Sequence, residues 1–194
     1  MSKSPTVSDA VLRQGRRRPN VPALLALFAC CWLGAGLARA GDEVESKVKA
    51  GYLFNIAKFT EWPESKFAAN DSPLVIGCFC DAGFAGILER TVAGKTAGTR
   101  RIAVRRVAGA EDMRGCHILF VGSAQTGSAG PLLARAKDLN VLSVGETDGF
   151  LGRGGMVNFY NEQDTVHFEI NPKTAERAGL KLSSRLLTVA RISQ

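Results

Sequence analysis

The chain has 194 residues, with 25 lysines and arginines against 18 acids and a formal net charge of +7, which is length enough for one sizeable core. Six of those bases and one acid precede Gly41, so the rest of the chain carries 19 bases and 17 acids, a net of +2. That near-balance removes the main support for a nucleic-acid partner, because phosphate recognition needs a clustered positive surface. Only Arg100, Arg101, Arg105 and Arg106 cluster, and their alternation along a strand predicts a solvated sheet edge.

In chain order, the first forty residues read as an export signal. Arg16-Arg17-Arg18 precede an apolar stretch from Val21 to Ala38, and Ala38-Arg39-Ala40 gives the small-x-small pattern of a cleavage site. Pro22, Gly34 and Gly36 interrupt the stretch, which suits a removed leader better than a membrane anchor. The expectation is cleavage after Ala40, a single domain over residues 41–194, a periplasmic location and no membrane insertion thereafter. Cys30 and Cys31 leave with the leader.

Asp42 with Glu45 can cap a helix whose apolar groups are Val44, Val48, Tyr52, Ile56 and Phe59, and Trp62-Pro63 stops it. Leu74 to Phe79 is continuously apolar, as a strand covered on both faces would be. Phe84, Ile87, Leu88 and Val92 predict a helix that ends near Gly94. Strands follow at Arg101 to Val107 and His117 to Val121, then a helix opened by Pro131, then a strand at Val141 to Val144. Strands alternating with helices imply a mostly parallel sheet. After a glycine-rich stretch, Met156 to Tyr160 and Thr165 to Ile170 predict a β-hairpin, and two short helices begin at Asn171-Pro172 and Ser183. The expected class is therefore α/β: a mostly parallel sheet flanked by helices in a Rossmann-like three-layer arrangement, with a C-terminal hairpin and two short helices.

Motifs of catalysis are weak. Ala93 to Thr96 (AGKT) has Glu89 where a phosphate-binding loop needs glycine, and it closes a helix instead of opening one. Gly152 to Gly155 lacks the strand-to-helix setting of a dinucleotide fingerprint, and His167-Phe168-Glu169 lacks the downstream cysteines of a zinc deaminase. The reading is a non-enzyme with no cofactor and no metal.

Three cysteines follow the leader: Cys78, Cys80 and Cys116. Two residues along one extended strand put Cys78 and Cys80 about 6.6 Å apart, a poor geometry for a mutual bond. In an oxidising compartment one of them is expected to pair with Cys116, worth about 4 kcal/mol on the chain-entropy argument. Cys116 begins its strand, which favours Cys78, with Cys80 as the alternative.

Four segments carry a resemblance to a known family: VKAGYLFNIAKFTEWP (Val48 to Pro63), CHILFVGS (Cys116 to Ser123), VLSVGETDGFLGRGGMVNF (Val141 to Phe159) and VHFEINPKTAERAGLKLSSRLL (Val166 to Leu187). Together they resemble the YfiR family of periplasmic proteins. The resemblance implies an exported α/β domain in cyclic-di-GMP signalling, one that binds the periplasmic sensor domain of a membrane-bound diguanylate cyclase and holds it inactive. It also implies a disulfide from the first strand region to Cys116. A second cysteine pair that some members carry around the glycine-rich loop is missing from this sequence. The expected partner-binding face joins Phe150, Leu151 and Arg153 in that loop to His167 and Glu169 on the hairpin, and a homodimer is compatible with the sequence. The alternative is a periplasmic small-ligand-binding module, with its ligand at the carboxyl edge of the sheet near Asp81, Ser123 and Gly145.

Overall fold

A computed structural model describes residues 41–193; the expected leader and its cleavage point lie outside the described residues. Residues 41–58 form helix α1, so Asp42 stands inside the helix and does not cap it. Its buried face is Ala50, Leu53, Ile56 and Ala57, whereas Val44 and Val48 stay exposed. The apolar stripe expected from the sequence thus begins about two turns too early. Leaving the helix, the chain forms β1 (Thr60–Glu61) before the first strand of the main sheet, β2 (Leu74–Phe79).

Asp81 caps helix α2 (Ala82–Val92) by accepting from the Phe84 N–H at 2.9 Å. The strands β3 (Thr96–Ala97), β4 (Arg100–Arg106) and β5 (Ile118–Val121) follow, then α3 (Gly130–Asp138) with proline in its first turn. Next come β6 (Leu142–Gly145) and the hairpin β7 (Val157–Glu162) and β8 (Thr165–Ile170). The hairpin turns on Gln163 and Asp164, both left-handed at φ 50° and 58°, as a two-residue turn requires. The chain closes with α4 (Pro172–Arg177), β9 (Lys181–Leu182), α5 (Ser184–Thr188) and β10 (Arg191–Ile192). Asn171 caps α4 and Ser183 caps α5.

The main sheet runs β10-β8-β7-β6-β5-β2-β4-β3. Strands β4, β2, β5, β6 and β7 are parallel, β8 is antiparallel to β7, β10 is parallel to β8, and β3 is antiparallel to β4. β1 and β9 pair antiparallel as a separate ribbon. On one face α1, α2, α4 and α5 pack over Ile76, Cys78, Ile118, Phe120, Leu142 and Phe159. On the other α3 packs over Val75, Leu119, Val121 and Phe150. The fold is the expected α/β class, with helices on both faces of a mostly parallel sheet.

The cysteines depart from expectation. The disulfide joins Cys78 to Cys80, and Cys116 is a buried free thiol. Two features explain the difference. Cys80 lies one residue beyond the end of β2, where the chain leaves the extended pitch, and its Cα sits 5.4 Å from that of Cys78, within disulfide range. Cys116, meanwhile, belongs to the core on the opposite face of the sheet. Its Sγ occupies the space left by Gly77, where a Cβ would stand 3.0 Å from the sulfur and 2.9 Å from Val107 Cγ2. Burial pushes the Cys116 thiol above its ordinary value, which keeps it protonated and unreactive. The Cys78–Cys80 bond closes a sequence separation of only 2, so its reduction is expected to cost about 1.5 kcal/mol, not the ~4 of a bond to Cys116. Alkylation of the unfolded, unreduced domain checks the pairing. Label on Cys116 alone among the three agrees with it, and label on Cys78 or Cys80 contradicts it.

The arginine edge also differs. The Arg100 side chain is only 12 % exposed. It donates to the carbonyls of Ala69, Asn70 and Ser72 at 3.0 Å each and lies 3.6 Å over the Phe67 ring. It is a strut for the segment before β2, not a solvated charge.

Candidate partner surface and carboxyl-edge cleft

The loop after β6 is built around Phe150. Its ring is fully buried, wedged between Gly145 and Gly155, at either of which a Cβ would overlap it. Phe150 therefore does not belong to an exposed face. It seats the loop against the α3 side of the core, and the glycines are there to admit it. A short 3-10 turn, Leu151–Arg153, follows, closed by Gly154 at φ 94°. Leu151 is half-buried and Arg153 exposed.

From Arg153 a chain of hydrogen bonds crosses to the hairpin. The guanidinium donates to Thr147 Oγ1 at 2.9 Å, the Thr147 N–H donates to Asn158 Oδ1 at 3.1 Å, and Asn158 Nδ2 donates to Glu169 Oε1 at 3.1 Å. Asn158 is buried, so both ends of its amide are satisfied by the loop and the neighbouring strand. This polar thread brings Arg153 and Glu169 into one arrangement. His167, on the same side of β8 as Glu169, stacks on Tyr160 with centroids 5.6 Å apart. Arg191 lies 4.4 Å over the other strand's Tyr160 ring and 3.5 Å from Glu162. Of the five residues expected on the partner face, the thread links Arg153 with Glu169 and His167 shares the Glu169 side of β8, whereas Leu151 is half-buried in the turn before Arg153 and Phe150 is buried beneath the loop. Tyr160 and Asn158 were not singled out from sequence. Asn158 alone had a legible signal: an amide within the apolar run Met156 to Tyr160 must be bonded if buried.

At the carboxyl edge, on the α1 side, a cleft of about 320 Å³ is lined by Asp42, Glu45, Lys49, Cys80, Asp81, Ser123 and Glu146 among others. Asp81 and Ser123 do meet there. Gly145 does not line it, because it faces Phe150 instead. Lys49 organises the cleft, bridging Glu45 at 2.5 Å and Glu146 at 2.7 Å, while the Ser123 N–H donates to Glu146 at 2.7 Å. Burial opposes the Lys49 charge, yet its hydrogen bonds to Glu146 and Glu45 outweigh that and hold the ammonium above its ordinary value. The same bond to Lys49 holds the Glu45 carboxyl below the usual range, against its partial desolvation. Nothing in the sequence linked Lys49 with Glu146, which lie 97 residues apart.

Among solved structures, a conserved domain protein of Vibrio cholerae O1 biovar eltor aligns with a TM-score of 0.47 at 10 % identity, over 62 % of this chain and 54 % of that one. The ABC domain in complex with L-Trp from Streptococcus pneumonia aligns with a TM-score of 0.47 at 10 % identity, over 62 % of this chain and 55 % of that one. The chain spans about half the length of these structures. No curated protein matches it. A family profile described as YfiR/HmsC-like matches residues 46–191, nearly the whole of the described region. The chain belongs to the YfiR/HmsC-like family.

Proposed function

We propose that the protein binds the periplasmic sensor domain of a membrane-bound diguanylate cyclase and holds it in an inactive conformation, lowering cyclic-di-GMP output. The observation that carries the site is the thread from Arg153 through Thr147 and Asn158 to Glu169. It fixes a loop cation and a hairpin anion relative to each other before any partner arrives, which lowers the ordering cost of binding. Leu151 supplies apolar area beside them, and the Tyr160–His167 stack supplies a rigid aromatic platform of the kind enriched at interfaces. Inhibition requires only that this face prefer the inactive cyclase, since a partner shifts an equilibrium by its differential affinity and no more.

Deleting the gene is expected to raise cellular cyclic-di-GMP, and wild-type protein to restore it. Arg153→Ala, whose guanidinium is exposed, is expected to leave the unfolding midpoint nearly unchanged while cutting sensor-domain affinity about tenfold. Unaltered cyclic-di-GMP on deletion would remove the reading, and unaltered affinity in Arg153→Ala would move the face elsewhere. A second reading has one observation in its favour: Asp81 and Ser123 share the cleft with the Lys49–Glu146 pair, which is the carboxyl-edge position where open α/β sheets bind ligands.

A further inference from the structure

At the opposite, amino edge of the sheet, His117 is the most deeply enclosed titratable ring of the described residues, 3 % exposed. Its surroundings come from four separate parts of the chain. The Val75 N–H donates to Nδ1 at 3.1 Å. The Phe67 ring stacks on the imidazole at 4.4 Å, Trp62 meets it edge-on at 6.0 Å, and the Trp62 indole N–H donates to the His117 carbonyl at 3.3 Å. Arg100 closes over the Phe67 ring from β4. The neutral ring, accepting at Nδ1, carries its proton on Nε2, which faces the Lys66 carbonyl without reaching full hydrogen-bond geometry.

This closed arrangement has no place for a second proton. It would have to enter at Nδ1, the atom that receives the Val75 N–H, so protonation replaces a hydrogen bond with two opposed donors. The charged groups acting on the ring are cations as well: Lys66 on the turn Glu64–Lys66, and Arg100 and Arg105 on β4. Lys66 itself donates to the Leu139 carbonyl, and burial lowers it from its ordinary value.

We propose that His117 is an acid-sensitive latch: protonation of its ring releases the segment 62–73, with Trp62 and Phe67, from the amino edge of the sheet while the central strands stay folded. Burial, reinforced by the Lys66 charge and only partly offset by the Lys66 carbonyl, holds the closed-state ring at about 4, against 6.5 for the free side chain. A group depressed in this way favours the closed state fully above 6.5, and the preference is lost progressively as pH falls toward 4. Between pH 7 and pH 5 the open fraction is expected to rise about twentyfold, well before the limit of the titration.

Native-state amide exchange in the exported protein, corrected for intrinsic rates, tests this directly. Protection at Lys66, Phe67 and Val75, whose N–H groups bond to Pro63, Glu64 and His117, is expected to fall about twentyfold from pH 7 to pH 5 while amides of β5 and β6 change less than threefold. His117→Asn keeps an acceptor for Val75 but cannot titrate, and is expected to abolish the difference. Should that variant not fold, the ring proton signals of wild-type His117 provide the check, with a midpoint well below 6.5 that coincides with loss of Val75 protection. Constant protection, equal loss across β5 and β6, or a response that survives in His117→Asn overturns the latch. None of these outcomes depends on the cyclase.

Discussion

Phe150→Ala is expected to lower the unfolding free energy by about 3–5 kcal/mol, the range for truncating a fully buried aromatic. The ring cannot be replaced by local collapse, because the residues on either side of it are Gly145 and Gly155, which have no side chains to move inward. The cavity would therefore persist, placing the cost toward the upper end. The backbone of the loop is also tied to this residue: the Phe150 carbonyl accepts from the N–H groups of Arg153 and Gly155 at 3.2 and 3.1 Å. A shift in urea midpoint at unchanged slope would measure the effect. Gly155→Ala attacks the same contact from the other side by overfilling it, with an expected cost of about 1–3 kcal/mol. A loss below 1 kcal/mol in Phe150→Ala would show that the loop does not depend on its ring. Comparison with Arg153→Ala then separates a weakened seat from a weakened contact.

Lys49→Met is expected to cost about 3 kcal/mol, the low end for removing one partner of a buried ion pair. The side chains of Lys49 and Glu146 are 14 % and 13 % exposed, so solvent cannot fully compensate the carboxylates left behind. Lys49 also pins α1 to the loop that follows β6, so the loss should concentrate in protection of α1. The pH dependence has a definite sign. Glu45 lies below its ordinary 4.5 in the folded state, so its contribution is present above that value and disappears as pH falls through the folded value. Lys49 lies above its ordinary 10.5, so its contribution is present below that value and disappears as pH rises through the folded one. Wild-type and Lys49→Met stability should therefore differ most between these limits and converge outside them, as urea midpoints across the range would reveal. The double variant Lys49→Met with Glu146→Gln is expected to recover part of the loss, because no unpaired carboxylate then remains at that position. A double variant no better than the single would assign the loss to packing of the lysine stem.

What was legible in the sequence was local. The run Leu74 to Phe79 is a strand because every position is apolar, and α2 and α3 follow from their periodicity and from proline in the first turn. The misreadings share a different character. Cys116 stands at even spacing from Ile118 and Phe120, which face α1, yet its thiol faces α3, because the chain enters β5 from a turn at Gly115 with φ 75°. Phe150 looks like an exposed aromatic among glycines until Gly145 and Gly155 are brought onto its two sides. Arg100, Phe67, His117 and Trp62 form one stack but come from segments that no periodicity connects. The same holds for the candidate face: Arg153 and Glu169 could be named from residue type, but the Thr147–Asn158 thread between them needed the sheet order.

The indole of Trp62 has a practical consequence. From Gly41 onward it is the sole tryptophan, and it rests at the amino edge against His117, remote in the sheet from the glycine-rich loop and hairpin turn. Intrinsic emission of the domain from Gly41 onward is thus a single-site optical gauge of that edge. Any change in its wavelength on mixing with a sensor domain would mark a signal carried along the length of the strands.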